Sequence, residues 1–276
     1  MINMQKSSSA KVALDMFLTQ MTWASGYLFV MLLIFSVRAL ASFIGNMEAN
    51  NFITKMIKTL ANEGGMDSFS TLIFYSSNIF MFVIGIIAAY GFLQYFVSNG
   101  VTRKNYFIGA AIGSFGVAVV IPIIIKIILM IEVVVTKMLP LQFADSTKIM
   151  EADDEIIGQV IQNILFSPFI DMTNGGISAM VIFALNIFCY YVAGWFISVS
   201  FYRLGTTLGL LSIPLVIVLF LLYDELMSIA LGLPVANLLP SIDTIPSVIA
   251  FALAIAIVVA MLVMIRLFTK KVAVKL

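Results

Sequence analysis

Arg103 and Lys104 stand side by side in SNGVTRKNYF, residues 98–107, a compact charged turn set between two long apolar runs. Adjacent cations beside the turn-forming Asn99 and Gly100 suit contact with another macromolecule better than bond-breaking chemistry. The catalytic repertoire elsewhere is thin. The chain has no His and a single cysteine, Cys189. His-based triads, the HExxH zinc site, Cys-rich metal sites and an internal disulfide are therefore excluded. No GxxxxGK[ST] loop occurs, so this chain does not bind ATP in the P-loop manner. Paired carboxylates within an apolar run do not stand out either: Asp15, Asp224 and Asp243 fall near expected span ends and Glu132 beyond one. The polar residues inside the runs are Asn78, Asn186, Ser198 and Ser200. Hydrogen bonding between helices is their expected role.

The elements that must position this turn are membrane spans. Hydrophobic residues make up 62% of the 276 and charged residues 11%, with a mean hydropathy of +1.11; an ordinary soluble domain carries roughly 25% charged residues. The class is an all-α membrane protein with six transmembrane helices, expected at about 23–44, 72–97, 107–126, 177–201, 206–223 and 248–267. Ahead of the first, Val12, Met16 and Phe17 recur at helical spacing beside Lys11 and Asp15, which predicts an N-terminal interfacial helix. Arg38 lies about 22 Å along the first span from Trp23, far enough to snorkel to the outer surface. Ala39-Leu40-Ala41 resembles a signal-peptide cleavage site, but Arg38 immediately before it argues against cleavage.

The third span is too long to be only a span. Phe107 to Ile125 already covers about 28 Å of the roughly 30 Å hydrocarbon thickness, yet apolar residues continue to Val135 in an outward extension to 137 that also carries Glu132 and Lys137. Either the helix tilts strongly, with a kink at Pro122, or it projects outside. One-faced apolar patterns at 51–61 and 151–165, the second opened by the acidic cluster Glu151 to Glu155, predict a small extracytoplasmic helical region. Helices lying flat on the outer leaflet are the alternative. Between spans 5 and 6, Gly232, Pro234, Pro240 and Pro246 interrupt an apolar connector, as a re-entrant segment would require. Gly109 and Gly113 form a GxxxG pattern in span 3, and Gly205 with Gly209 a second glycine pair at span 5. Both predict close helix packing, for the first pair within one chain rather than at a dimer seam.

Charge orients this layout. Lys6, Lys11, Arg103, Lys104, Arg203, Arg266, Lys270, Lys271 and Lys275 fall on one side of a six-span arrangement. Glu48, Glu63, Asp67, the 151–155 cluster, Asp224, Glu225 and Asp243 fall on the other. The Lys/Arg bias places both termini, and the 98–107 turn with them, in the cytoplasm.

The whole layout resembles ABC-2 type permease subunits. Its most specific sequence element is Gly100-Val101-Thr102-Arg103-Lys104 followed by the aromatic pair Tyr106-Phe107. The resemblance implies that Val101, Thr102, Arg103, Lys104 and Asn105 form a coupling helix that docks into a separate ABC ATPase subunit. It also implies that ATP and Mg are held by that partner, that this chain carries no cofactor, and that a second permease subunit completes a homo- or heterodimer. The implied cargo is amphipathic or hydrophobic. The chain looks similar to permeases of Gram-positive bacteria that export antimicrobial or cytolytic peptides, including phenol-soluble modulins, from the bacterial cell membrane. No nucleic acid partner is expected. Its 23 Phe and 17 Met suit an adaptable apolar cavity, or simple packing and lipid contact. Two other classes stay open: a non-transporting sensor or assembly subunit whose acidic outer region binds a ligand, and a secondary transporter, which usually shows ionisable or broken-helix features at mid-depth.

Overall fold

A computed structural model describes residues 9–45, 69–138, 176–233 and 245–270. Every regular element among them is a helix: α1 (Ser9–Gly45), α2 (Phe69–Ile87), a π-helical turn (Ala88–Leu93), α3 (Gln94–Ser98), α4 (Arg103–Met138), α5 (Ile177–Leu210), α6 (Ser212–Leu231) and α7 (Ser247–Lys270). α2, the π turn and α3 run on as one rod. Six stretches are long and apolar enough to cross a membrane: Ser9–Val37, Leu72–Ser98, Arg103–Val134, Ile177–Leu210, Ser212–Leu231 and Ser247–Lys270. The protein is a multi-pass helical membrane protein. The expected helices at 51–61 and 151–165, the connector from 234 to 244, and Lys6, Lys271 and Lys275 lie outside the described residues.

The first span corrects the sequence reading. No boundary separates an interfacial helix from a span beginning at Trp23; residues 9–45 form one 37-residue helix. Neither Gly nor Pro occurs between Ser9 and Gly26 to stop it. Its early apolar residues also have a partner. Val12 and Met16 are fully buried, and they meet the glycines of α4: an added Cβ on Gly109 would lie 2.6 Å from Val12, and one on Gly113 would lie 2.7 Å from the Ala13 carbonyl. The amphipathic pattern at 12–17 thus reflects a helix seam. α4 is itself unbroken for 36 residues, with Pro122 inside it, so its length of about 54 Å exceeds the hydrocarbon thickness by far.

Span 4 reverses into span 5 at Gly205, where φ is +77°, a conformation that glycine alone adopts without strain. Gly209 then returns against Phe201, 2.8 Å from its Cα for a Cβ built there, which makes the two arms antiparallel. α6 overruns the end expected for span 5 at Tyr223 and continues to Leu231. Gly232 stops it in the left-handed conformation at φ +66°. The Gly232 and Leu233 amides donate back to Ile229 and Ser228 at 3.2 and 2.9 Å, the Schellman arrangement. Asp224 and Glu225 therefore lie two turns inside a helix rather than at its end, and Glu225 is buried.

α5 is the hub. Of its most apolar stretch 72% is buried inside the bundle, against 22% for α1. Its tightest neighbour is α2, which runs parallel to it: Phe74 stacks on Phe183, Asn186 donates to Asn78 at 3.2 Å, and Ser198 donates to the Ile86 carbonyl. Between these contacts the two backbones touch. A Cβ on Gly85 would collide with the Tyr191 carbonyl, and one on Gly194 with the Phe82 carbonyl. In lipid, where apolar surface gains nothing by leaving one helix neighbour for another, such close approach supplies the packing energy.

Gly85→Ala and Gly194→Ala are each expected to lower stability by about 1–3 kcal/mol through overpacking. Gly26→Ala, with no atom within 4 Å of the new methyl, is expected to be neutral. Cys189 is the sole thiol and is fully buried. Its reaction with a fluorogenic maleimide during heating measures all three, and unchanged melting of Gly194→Ala is the result against the seam.

Candidate functional site

The turn at 98–107 is built by two caps. α3 ends at Ser98 with Asn99 as its cap residue, and Gly100 follows at φ +83°. The Gly100 amide donates to Val97 at 3.1 Å and the Val101 amide to Phe96 at 3.0 Å, again a Schellman closure, and Val101 and Phe96 are both buried, the apolar pair that often accompanies that motif. The Asn99 side chain donates to the Tyr95 carbonyl at 2.7 Å. Thr102 then caps α4: its hydroxyl accepts from the Asn105 amide at 3.2 Å, and its carbonyl accepts from the Tyr106 amide at 2.9 Å. Four residues, 99–102, thus reverse the chain.

This placement sorts the five expected docking residues. They do not form a helix of their own. Val101 is turned inward and supports the turn. Thr102 and Lys104 are exposed, while Arg103 and Asn105 are half-buried. Arg103 and Lys104 occupy the first turn of α4, where the helix dipole disfavours cations. Local helix stability therefore does not account for them.

Arg103 is drawn to a better dipole end. Its guanidinium donates to the Lys270 carbonyl at 3.4 Å, and Arg203 donates to the Leu267 carbonyl at 3.1 Å. Both carbonyls belong to the last turn of α7, where cations are favoured. Arg266 donates to the Arg103 carbonyl at 3.4 Å and lies over the Phe107 ring at 5.6 Å. Arg203 lies over Phe268 at 5.0 Å. The 3.4 Å contacts are long and individually weak. Together they tie α4, α5 and α7 at one end of the bundle. Sequence reading treats Arg203, Arg266 and Lys270 only as topology markers; their common position at span ends is the signal that groups them with Arg103.

Beneath this end lies the π turn. A π-helical turn bonds i to i+5 and disturbs the regular ladder. Here the Tyr106 hydroxyl donates to the Ala88 carbonyl of the turn at 2.6 Å, and Ser198 donates to the Ile86 carbonyl two residues ahead of it. Tyr106 is fully buried. Other polar contacts between helices also escape sequence reading. Gln20 donates to Ser114 at 3.0 Å, and the Tyr27 hydroxyl lies 2.8 and 2.9 Å from those of Ser76 and Ser77. Gln20 is misread because it falls in the stretch expected to lie on the membrane surface. Among the described residues, no three His, Cys, Asp or Glu side chains come together as a metal site.

The chain matches no known protein family, characterised protein or solved structure.

Tyr106→Phe is expected to lower stability by about 1–3 kcal/mol, because it leaves the buried Ala88 carbonyl without its hydroxyl donor. Tyr90→Phe, at a half-exposed ring, is expected to stay within about 0.5 kcal/mol of the parent. Thermal exposure of Cys189 reads both, and equal melting temperatures for the two variants would remove the role given to Tyr106.

Proposed function

We propose that this chain is the membrane-spanning subunit of an ABC exporter of the ABC-2 type, driven by a separate ATPase that docks at the 98–107 turn. The observation that supports it most is the construction of the basic end. An exposed Lys104 and a half-buried Arg103 sit on a Schellman-capped corner, and Arg103, Arg203 and Arg266 connect that corner to two further helices. Energy from a motor enters a chain of this kind only through a cytoplasmic contact. The positive-inside rule assigns this end to the cytoplasm and both termini with it.

The mechanism that follows is a lever. A push on Thr102 to Asn105 acts along the axis of α4, whose glycine seam carries α1. The guanidinium contacts pass the same displacement to the C-terminal turn of α7 and to α5. ATP and Mg belong to the partner. A second permease subunit completes the assembly, and the cargo is amphipathic or hydrophobic, such as a peptide, moved across a bacterial cell membrane.

Purification in mild detergent is expected to bring down ATP hydrolysis with the chain. Arg103→Glu combined with Lys104→Glu is expected to abolish that association, while membrane insertion and Cys189 protection stay intact. A double variant that still forms the complex normally sinks the docking assignment.

A further inference from the structure

We propose that the cleft between α1 and the second span binds an apolar organic cation, held by aromatic rings and the Asp15 carboxylate. This concerns the chain by itself and does not rest on the ATPase reading.

α1 and the second span touch at one end and part at the other. Phe35 meets Phe69 at 5.2 Å, Tyr27 stacks on Phe80 at 4.7 Å, and Trp23 stacks on Phe92 at 5.4 Å. Beyond Trp23 the helices diverge around a cleft of about 630 Å³, a volume ordinary for small-molecule sites. Its walls include Asp15, Thr19, Trp23, Phe92, Tyr95 and Phe96. Phe92 and Phe96 are buried and form a floor, whereas Trp23 and Tyr95 are 40% and 63% exposed and form rims.

The chemistry of this lining is one-sided. Four aromatic residues line the cleft, with Trp23 and Phe92 stacked on each other, one carboxylate is present, and no Lys or Arg contributes to the wall. Such a surface attracts a cation by ring quadrupole and by charge, and repels an anion. Neutral apolar ligands gain from the rings but leave the carboxylate unanswered. Asp15 is exposed and lines the cleft. The local bond there is the Thr19 hydroxyl donating to the Asp15 backbone carbonyl at 2.8 Å. Lys11 stands one turn earlier on α1 but does not line the cleft. A Lys four residues before an Asp is the weaker order for a helical ion pair, and exposed pairs contribute little.

Two features place the acid and the rings together. The continuity of α1 from Ser9 puts Asp15 in its second turn, on the same unbroken helix as Trp23. The π turn widens the opposite wall: it spans Ala88–Leu93, and Gly91 within it also lines the cleft. Its extra residue rotates everything that follows by about 100° relative to a regular helix. That rotation sets the facing of Tyr95 and Phe96.

The test uses the purified chain in nanodiscs of neutral phosphatidylcholine, titrated with tetraphenylphosphonium and with its near-isosteric anion tetraphenylborate. The protein has two tryptophans, and Trp195 is fully buried, so quenching reports Trp23. Saturable quenching by the cation is expected, lost as a signal in Trp23→Phe. Affinity is expected to fall about tenfold in Asp15→Asn and in Tyr95→Leu, both exposed positions, with Cys189 still protected. Quenching without saturation, equal behaviour of the two ions, or unchanged affinity in Asp15→Asn overturns the proposal. Those outcomes leave ATPase association untouched, and a missing ATPase leaves cation binding untouched, so the two readings fail separately.

Discussion

The bundle depends on one backbone contact, Gly85 of α2 against Gly194 of α5. Each glycine faces a carbonyl of the opposite helix so closely that a methyl group does not fit. Inside a membrane the helices are held by packing and by hydrogen bonds rather than by expulsion from water, so the point of closest approach sets the register of everything around it. Two turns outward, Asn186 reaches Asn78; on the other side, Ser198 reaches the Ile86 carbonyl as the π turn begins. A shift of one residue along this seam would separate both pairs and press side chains against backbone. The seam between α1 and α4, at Gly109 and Gly113, repeats the device for a second parallel pair.

Parallel pairing explains why the turn at Gly100 is so short. Spans 2 and 3 are antiparallel and are joined directly, yet their main partners are α5 and α1. The Schellman closure and the Thr102 cap reverse the chain within four residues, leaving the two helices free to pack elsewhere. The basic end then closes through side chains rather than helix contacts. Guanidinium groups on the last carbonyls of α7 neutralise a dipole end and hold cations that the start of α4 alone disfavours.

What sequence reveals here follows the range of the interaction. Six spans were legible because apolar length is a property of each segment alone, whereas Gly205, expected to pack closely against a helix, instead turns the chain at φ +77° with nothing within 4 Å of an added Cβ. The first helix was misread for the opposite reason: Val12 and Met16 look like the apolar face of a surface helix until the glycines they meet, almost a hundred residues later, are known. Gly194 gives no local sign of its partner, and the π turn AAYGFL has no signature in its composition. The acid at Asp15 was visible, but its aromatic surroundings come from another span.

Phe96 belongs to both proposed sites. Its carbonyl accepts the Val101 amide that closes the turn, while its side chain lines the cleft. Its ring lies 6.0 Å from that of Tyr106, whose hydroxyl holds the Ala88 carbonyl of the π turn. An occupant of the cleft therefore presses on a ring that cannot shift without disturbing either the Schellman contact with Val101 or the Tyr106 bond. Closely packed interiors respond to such a load by moving between discrete arrangements rather than by yielding continuously. If the cleft takes a ligand, its occupancy and the geometry of the turn are linked, and linkage of this kind runs in both directions.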